Sequence, residues 1–213
     1  MKRILYTIGL LWACAMTQAQ TLLPPVWQGS ADVQYSSRTI AYLPPTRIVW
    51  QETTGSSSIE GIDKLLLPGN GQAELVGGKE CVIRKRPDGK VSFLLDFGRE
   101  LQGGIQIVTG QSSRKEAKVR IRFGESVSEA MCDITPENGA TNDHAIRDFH
   151  FTLPWLGVAE IGNSGFRFVR IDVEEPDIDL LLKEVRATFG YRDIPYLGSF
   201  KSDNERLNDI WMT

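Results

Sequence analysis

Ala117-Lys118-Val119-Arg120-Ile121-Arg122-Phe123-Gly124-Glu125 sets Val119, Ile121 and Phe123 against Lys118, Arg120 and Arg122. A hydrophobic period of two belongs to a strand that buries one face and wets the other. Phe149, Phe151 and Leu153 repeat the pattern, as do Val185, Ala187, Phe189 and Tyr191 opposite Glu184, Arg186 and Thr188. In Gly165–Val173 (GFRFVRIDV) the apolar parity passes from Phe166 and Phe168 to Val169, Ile171 and Val173, which predicts a β-bulge near Phe168. Val91 to Phe97 and Ile105 to Thr109 read as two further strands, both bounded by glycines. Pro68-Gly69-Asn70-Gly71, Gly77-Gly78 and above all Arg86-Pro87-Asp88-Gly89 carry turn chemistry, the last being the strongest hairpin signal. Short strands separated by turns, with no long helical pattern before Ser202, predict a mainly β protein, an antiparallel β-sandwich of jelly-roll type.

The two ends differ from this middle. Met1-Lys2-Arg3 is a short basic run, Ile4 to Trp12 an apolar stretch, and Thr17-Gln18-Ala19 a small-x-small site, so residues 1–19 are expected to be a signal peptide. Leu11-Trp12-Ala13-Cys14 resembles a lipobox that would acylate Cys14, but bulky Trp12 suits it poorly and cleavage after Ala19 is favoured. The protein is therefore expected to be exported, periplasmic or secreted, with a lipid anchor at Cys14 as the alternative. Residues 20–197 form the expected β-domain, entered through Pro24-Pro25 and Pro44-Pro45, whose prolines suit edge strands. Pro195 and Gly198 punctuate the exit. In 198–213, GSFKSDNERLNDIWMT, Ser202 and Glu205 have the spacing of a capping box, Phe200 is placed as a staple, and Leu207, Ile210 and Trp211 fall on one helical face. That stripe calls for a helical partner, and the helix is expected to continue in a longer protein.

Composition excludes several function classes. A formal net charge of −3 gives no reason to expect a nucleic acid or an anionic membrane as partner. His144 and His150 are the only histidines and no CxxC occurs, so neither a metal nor another cofactor is expected. Beyond the leader, Cys81 and Cys132 allow one disulfide or two buried thiols.

LLDFGRELQGGIQI, RIRFGESVSEAM, NDHAIRDF, SGFRFVRIDV and GSFKSDNERLNDIW, in this order and spacing, together resemble the amino-terminal part of bacterial α-L-rhamnosidases of glycoside hydrolase family 78, from about Ile48 onward. The resemblance implies a β-sandwich followed by an (α/α)6 barrel, of which residues 198–213 are the first helical turns. It also implies removal of terminal α-L-rhamnose from glycans by an inverting route. One carboxylic acid protonates the leaving oxygen and a second activates water on the opposite face, about 6.5–9.5 Å away. In the family those acids lie in the barrel, so no catalytic residue carries over to this chain. The partners implied are a rhamnose-containing glycan and the helical barrel of the same protein. A non-catalytic carbohydrate-binding or structural sandwich is the alternative.

Within the chain itself, Glu125, Glu129 and Asp133 could suggest an acid/base pair, but charged strand ends and loops are common and a solvated role is expected. Asn142, Asp143 and Asp148 offer oxygens that fall short of a calcium shell. Among the tryptophans, Trp27 lies in the β-region, Trp50 ends an apolar strand and reads as core, and Trp211 reads as a domain contact. Trp155, at the turn Leu153-Pro154-Trp155-Leu156-Gly157, is the carbohydrate-binding candidate, because an aromatic face stacks on a sugar ring, with packing against the helical barrel as the equal alternative. Arg167 and Arg170 are expected to pair with carboxylates on a neighbouring strand.

Overall fold

The computed structural model describes residues 34–36, 39–75, 80–113, 116–133, 147–191 and 197–212. The expected signal peptide, Cys14, Pro24-Pro25, Trp27, Gly77-Gly78, Asn142, Asp143, His144 and Pro195 lie outside them. The chain divides into two compact units, a β body within Gly29–Arg192 and a second unit that holds the C-terminal residues.

The β body contains β1 (Gln34–Ser36), β2 (Ile40–Leu43), β3 (Arg47–Thr53), β4 (Ser58–Glu60), β5 (Cys81–Lys85), β6 (Val91–Thr109), β7 (Glu116–Gly124), β8 (Asp148–Pro154), β9 (Gly157–Val173) and β10 (Ile178–Gly190). A 3-10 helix, Ile62–Leu66, follows β4, and the short helix α1, Val127–Met131, follows β7. All pairings are antiparallel. Residues 91–96 of β6 pair with β3 on one side and with β9 on the other, and β9 passes on to β7 and β8. Residues 103–109 of the same strand lie between β9 and β10, and β10 passes on to β2 and β5. The long strands β6 and β9 are thus shared by the two layers of a β-sandwich. What reads in the sequence as two strands, Val91 to Phe97 and Ile105 to Thr109, is one 19-residue strand bent at Gly98-Arg99-Glu100, where the burial of β6 is interrupted.

The predicted alternation holds on β7 for Val119, Ile121 and Phe123, which are buried, and for Lys118, which is exposed, but fails at Arg122, which is buried and paired with Asp172. The parity change in β9 also falls where expected: Phe166 and Phe168 are buried, then Val169, Ile171 and Val173, and pairing with β6 is irregular between Phe166 and Phe168. Phe123 and Phe166 meet edge to face at 5.0 Å, with Phe97 and Phe149 against them at 5.6 and 5.8 Å. Such pairs add about 0.5–1.5 kcal/mol each beyond their area burial.

Three further expectations need correction. Arg86-Pro87-Asp88-Gly89 does close a turn, Gly89 N–H donating to Arg86 C=O at 3.1 Å, but it is not a hairpin. β5 pairs with β4 and β10, whereas Val91–Asp96 pairs with β3 and β9, so the turn crosses between layers. It is fastened to the β3–β4 loop instead: Asp88 accepts from Ser56 N–H and Oγ at 3.1 and 2.7 Å, and Lys90 N–H donates to Thr54 Oγ1 at 2.8 Å. Glu184 and Arg186, assigned by alternation to a wet face, are buried because the segment following the 3-10 helix lies over them.

The third correction concerns the C-terminal helix α2, Glu205–Met212. Its N-terminal cap is Asn204, whose Oδ1 accepts Arg206 N–H at 3.1 Å. Ser202 lies outside the helix, clamped by Asn208 through Ser202 N–H to Oδ1 at 2.8 Å and Nδ2 to Ser202 C=O at 3.0 Å. Asx side chains compete well for this position, which is why the Ser202–Glu205 spacing misleads. Phe200 meets Trp211, ring centroids 5.6 Å apart, and Leu207, Ile210 and Trp211 are exposed. A helical barrel is not among the described residues.

Candidate functional site

Pro154 ends β8 and Gly157 begins β9, leaving Trp155 and Leu156 at the tip of the connection. Thr109, fully buried at the end of β6, fixes this tip: its Oγ1 donates between Pro154 C=O at 3.0 Å and Gly157 C=O at 3.2 Å and accepts Gly157 N–H at 3.1 Å. The next residues of the chain, 110–113, then pass beside Trp155. Its indole N–H donates to Ser112 C=O at 3.1 Å, and Ser112 N–H donates to Trp155 C=O at 3.3 Å. The ring is therefore held in one orientation with its only donor satisfied internally, while the residue stays 39% exposed. What it offers outward is apolar ring surface.

The opposite side of the same loop is bound to β10. Ser113 N–H donates to Asp179 C=O at 2.9 Å, and Asp179 N–H donates to Ser113 Oγ at 2.8 Å. Arg86, from the crossing turn, donates to Asp179 at 2.7 Å and reaches Asp177 at 3.4 Å, and the hydrogen bond to Asp179 raises the guanidinium pKa. The Asp177 and Asp179 side chains are 49% and 46% exposed. Trp155 and Asp179 flank one loop strand, which places their backbones about 10 Å apart by the spacing of neighbouring strands. An oriented aromatic surface thus shares one end of the sandwich with half-exposed carboxylates. This is chemistry suited to stacking a ring and accepting hydrogen bonds from hydroxyls.

The other sequence candidates are structural. Arg147 spans Glu125 at 2.7 Å and Glu129 at 3.3 Å, and Glu129 N–H donates to the Ser126 Oγ that caps α1. Asp133 joins Arg120 at 3.1 Å and Arg122 at 2.9 Å, and Asp148 takes Arg120 through both oxygens. Arg167 pairs with Asp96 across to β6, as expected, at 2.9 and 3.1 Å. Arg170 instead pairs with Asp172 on its own strand at 2.9 Å and lies over the Trp50 ring at 5.1 Å. Trp50 is half-buried against Leu94, Ala130 and Phe168. His150 is exposed and meets Glu174 at 2.8 Å. Arg86, Ser112, Asp177 and Asp179 were not read from the sequence; the acidic turn Glu174-Glu175-Pro176-Asp177 is the signal that could have marked them.

Among the described residues, where a carboxylate's pKa departs clearly from the ordinary range, at Glu74, Asp88, Asp96 and Asp172, it moves down, whereas a glycosidic general acid needs one moved up. At Asp96 burial opposes ionisation, but hydrogen bonds from Arg167, Gly98 N–H and Arg47 outweigh it; at Asp172 burial is outweighed by Ser92, Arg170 and Arg122. Groups whose folded pKa is depressed stabilise above the unfolded value of about 3.9 and lose that contribution as pH falls through the folded one. The urea midpoint is therefore expected to hold level from neutral pH to about 5 and to drop below about 4, with a shallower acid limb in Asp96→Asn. An unchanged acid limb in that variant contradicts the assignment.

Cys81 and Cys132 are not bonded to each other, and they are not two buried thiols: Cys81 is buried, Cys132 exposed. Burial pushes the Cys81 thiol up to about 12, against a smaller opposing effect of Lys64. Iodoacetamide at pH about 8 is expected to alkylate Cys132 in the native protein and Cys81 only after unfolding, because the thiolate is the nucleophile; peptide mapping reads both sites.

No protein-family model and no curated protein matches the chain. Among solved structures it is similar to a family GH78 rhamnosidase of Bacillus sp. GL1, with 18% identity and a TM-score of 0.50 over 70% of this chain and 14% of that one. It is also similar to a rhamnosidase from Klebsiella oxytoca with rhamnose bound, at 16% identity and TM-score 0.45, over 70% of this chain and 29% of that one. A Streptococcus pneumoniae fucose binding module aligns with 73% of this chain and 99% of its own length, at 9% identity and TM-score 0.43. The chain spans less than a third of either rhamnosidase. At such identities the Bacillus likeness shows the fold alone: an antiparallel β-sandwich of the kind found within a GH78 rhamnosidase.

Proposed function

We propose that the β body is a non-catalytic, glycan-binding sandwich serving an exported α-L-rhamnosidase-like glycoside hydrolase, and that it meets terminal α-L-rhamnose. The observation that carries this reading is the Trp155 indole, locked to Ser112 and left 39% exposed beside the loop that carries Asp179. A neutral sugar stacks the apolar face of its ring on the indole and donates hydroxyl hydrogen bonds to Asp177 or Asp179. The ordered motif set and the sandwich of the Bacillus enzyme support the rhamnosidase part. The two acids of inverting hydrolysis belong, on this reading, to the helical barrel that follows. Export rests on the leader expected in residues 1–19.

A free-standing carbohydrate-binding module is the second reading; the pairing of Asp96, Asp148, Asp172 and Glu125 with arginines leaves these carboxylates structural on both. The mass of the native protein separates the two, since only the first requires a long helical domain.

Calorimetric titration with methyl α-L-rhamnoside tests the binding shared by both. Trp155→Ala is expected to weaken affinity about tenfold, the equivalent of about 1.4 kcal/mol, with the fold intact. Equal affinity in the variant sinks the Trp155 site.

A further inference from the structure

Segment 67–74 lies across one face of β10. A β-carbon on Gly69 would come within 2.0 Å of Glu184 Cδ, and one on Gly71 within 1.8 Å of the Arg186 guanidinium. Gly71 N–H donates to both Glu184 oxygens at 3.0 and 3.2 Å. Lys183 Nζ donates to Asn70 Oδ1 at 2.9 Å and Gln72 C=O at 2.8 Å, and pairs with Glu74 at 2.8 Å. These contacts are polar, whereas Leu67 at the start of the segment and Leu75 just beyond its end are 61% and 67% exposed. Little apolar burial holds the segment down, and water can replace each of its bonds. Such segments open locally, well below the free energy of global unfolding.

Beneath it, polar side chains form a row across four strands. The Arg186 guanidinium lies 4.1 Å over the Tyr42 ring of β2, and its Nε donates to Gln106 Oε1 on β6 at 2.7 Å. Gln106 Nε2 donates to Glu160 Oε1 on β9 at 2.9 Å, and Glu160 is exposed. The row therefore runs from the covered Glu184–Arg186 pair, 3.5 Å apart, to solvent. A cleft already borders the covered end, lined by Tyr42, Pro44, Pro68, Gly69, Glu184 and Arg186. Burial pulls the Arg186 pKa down, with Glu184 opposing, so the closed state desolvates a charge that the open state returns to water.

We propose that segment 67–74 is a lid over a second sugar site, in which Glu184 and Arg186 take vicinal hydroxyls of a neutral sugar when the lid lifts. A hydroxyl both donates and accepts: the Glu184 carboxylate, released from Gly71, accepts a hydrogen bond from one hydroxyl, and the guanidinium donates to the neighbouring oxygen. An acidic sugar is repelled by Glu184 and Glu160. The inference rests on the glycan-binding reading above but concerns a different surface.

Hydrogen exchange and side-chain NMR on the full chain test it. In the native protein, the Gly71 amide is expected to exchange about 100-fold or more faster than that of Ile107, and Lys183→Ala to speed Gly71 about tenfold further while leaving Ile107 unchanged. In Lys183→Ala, methyl α-L-rhamnoside is expected to shift the Arg186 and Gln106 side-chain signals, and galacturonate is not. Gly71 exchanging at the rate of Ile107 overturns the lid. Rhamnoside shifts confined to residues 110–113 and 155–157 overturn the second site while leaving the Trp155 reading in place. Equal shifts with galacturonate overturn the neutral-sugar selection, and no shift anywhere overturns both readings.

Discussion

Gly103→Ala is expected to cost about 4 kcal/mol or more, enough to unfold much of the β body at 25 °C. Gly103 sits in β6 opposite Phe189 of β10 and Ser164 of β9, at φ +149°. A β-carbon there would lie 2.0 Å from the Thr188 carbonyl oxygen, a backbone atom that cannot rotate away. Relief requires separating β6 from β10 at the centre of one layer. The adjoining Gly104 is as confined, 2.4 Å from the Gly162 carbonyl. Gly190→Ala is the control: a β-carbon there meets only the Gln102 carbonyl, at 3.7 Å, and the effect is expected within about 0.5 kcal/mol. Urea unfolding followed by circular dichroism measures both. Equal midpoints for the two variants contradict the packing described.

The second large effect is expected at Asp172→Ala. This carboxylate accepts from Ser92 Oγ at 2.6 Å, Arg170 Nε at 2.9 Å and Arg122 at 2.9 Å. The Arg122 side chain is 3% exposed, and its other carboxylate partner, Asp133, is 63% exposed. Truncation leaves a buried guanidinium short of a counter-charge, a loss of about 3–5 kcal/mol. Asp172→Asn keeps an acceptor for Ser92 but no charge, and falls between the alanine variant and the wild type. A loss below about 1 kcal/mol in Asp172→Ala shows that Arg122 is solvated in the folded protein.

Much of the sandwich is legible in alternation, because burying one face of a strand imposes a period of two that side-chain chemistry records directly. Phe166, Phe168 and Val169 even mark the place where pairing with β6 becomes irregular. Pairing partners are less legible. Arg86-Pro87-Asp88-Gly89 has the residues of a hairpin turn, but the hydrogen bonds that assign β5 to β10 and Val91–Asp96 to β3 come from strands far away in sequence. Gly103 and Gly104 look like a strand end, and only the carbonyls of Thr188 and Gly162 show that they lie mid-strand. Glu184 and Arg186 obey the alternation and are nevertheless buried, because a segment more than 100 residues earlier covers them.

The candidate site is legible in part for the same reason. Trp155 announces itself as an aromatic at a Pro–Gly turn. Its companions Ser112 and Asp179 come from the loop after β6 and from β10, and ordinary serines and aspartates carry no local mark of the contact that joins them. The resemblance to rhamnosidases rests on strands, turns and short helices that build the frame, and it names no side chain that would touch a ligand.

The most direct measurement is a two-dimensional NMR titration of the protein with a disaccharide that ends in α-L-rhamnose. Saturable shifts of the Trp155 indole N–H and of amides in 110–113 and 155–157, lost in Trp155→Ala, are the predicted result. Shifts that ignore this end of the sandwich, or none at millimolar sugar, contradict the account.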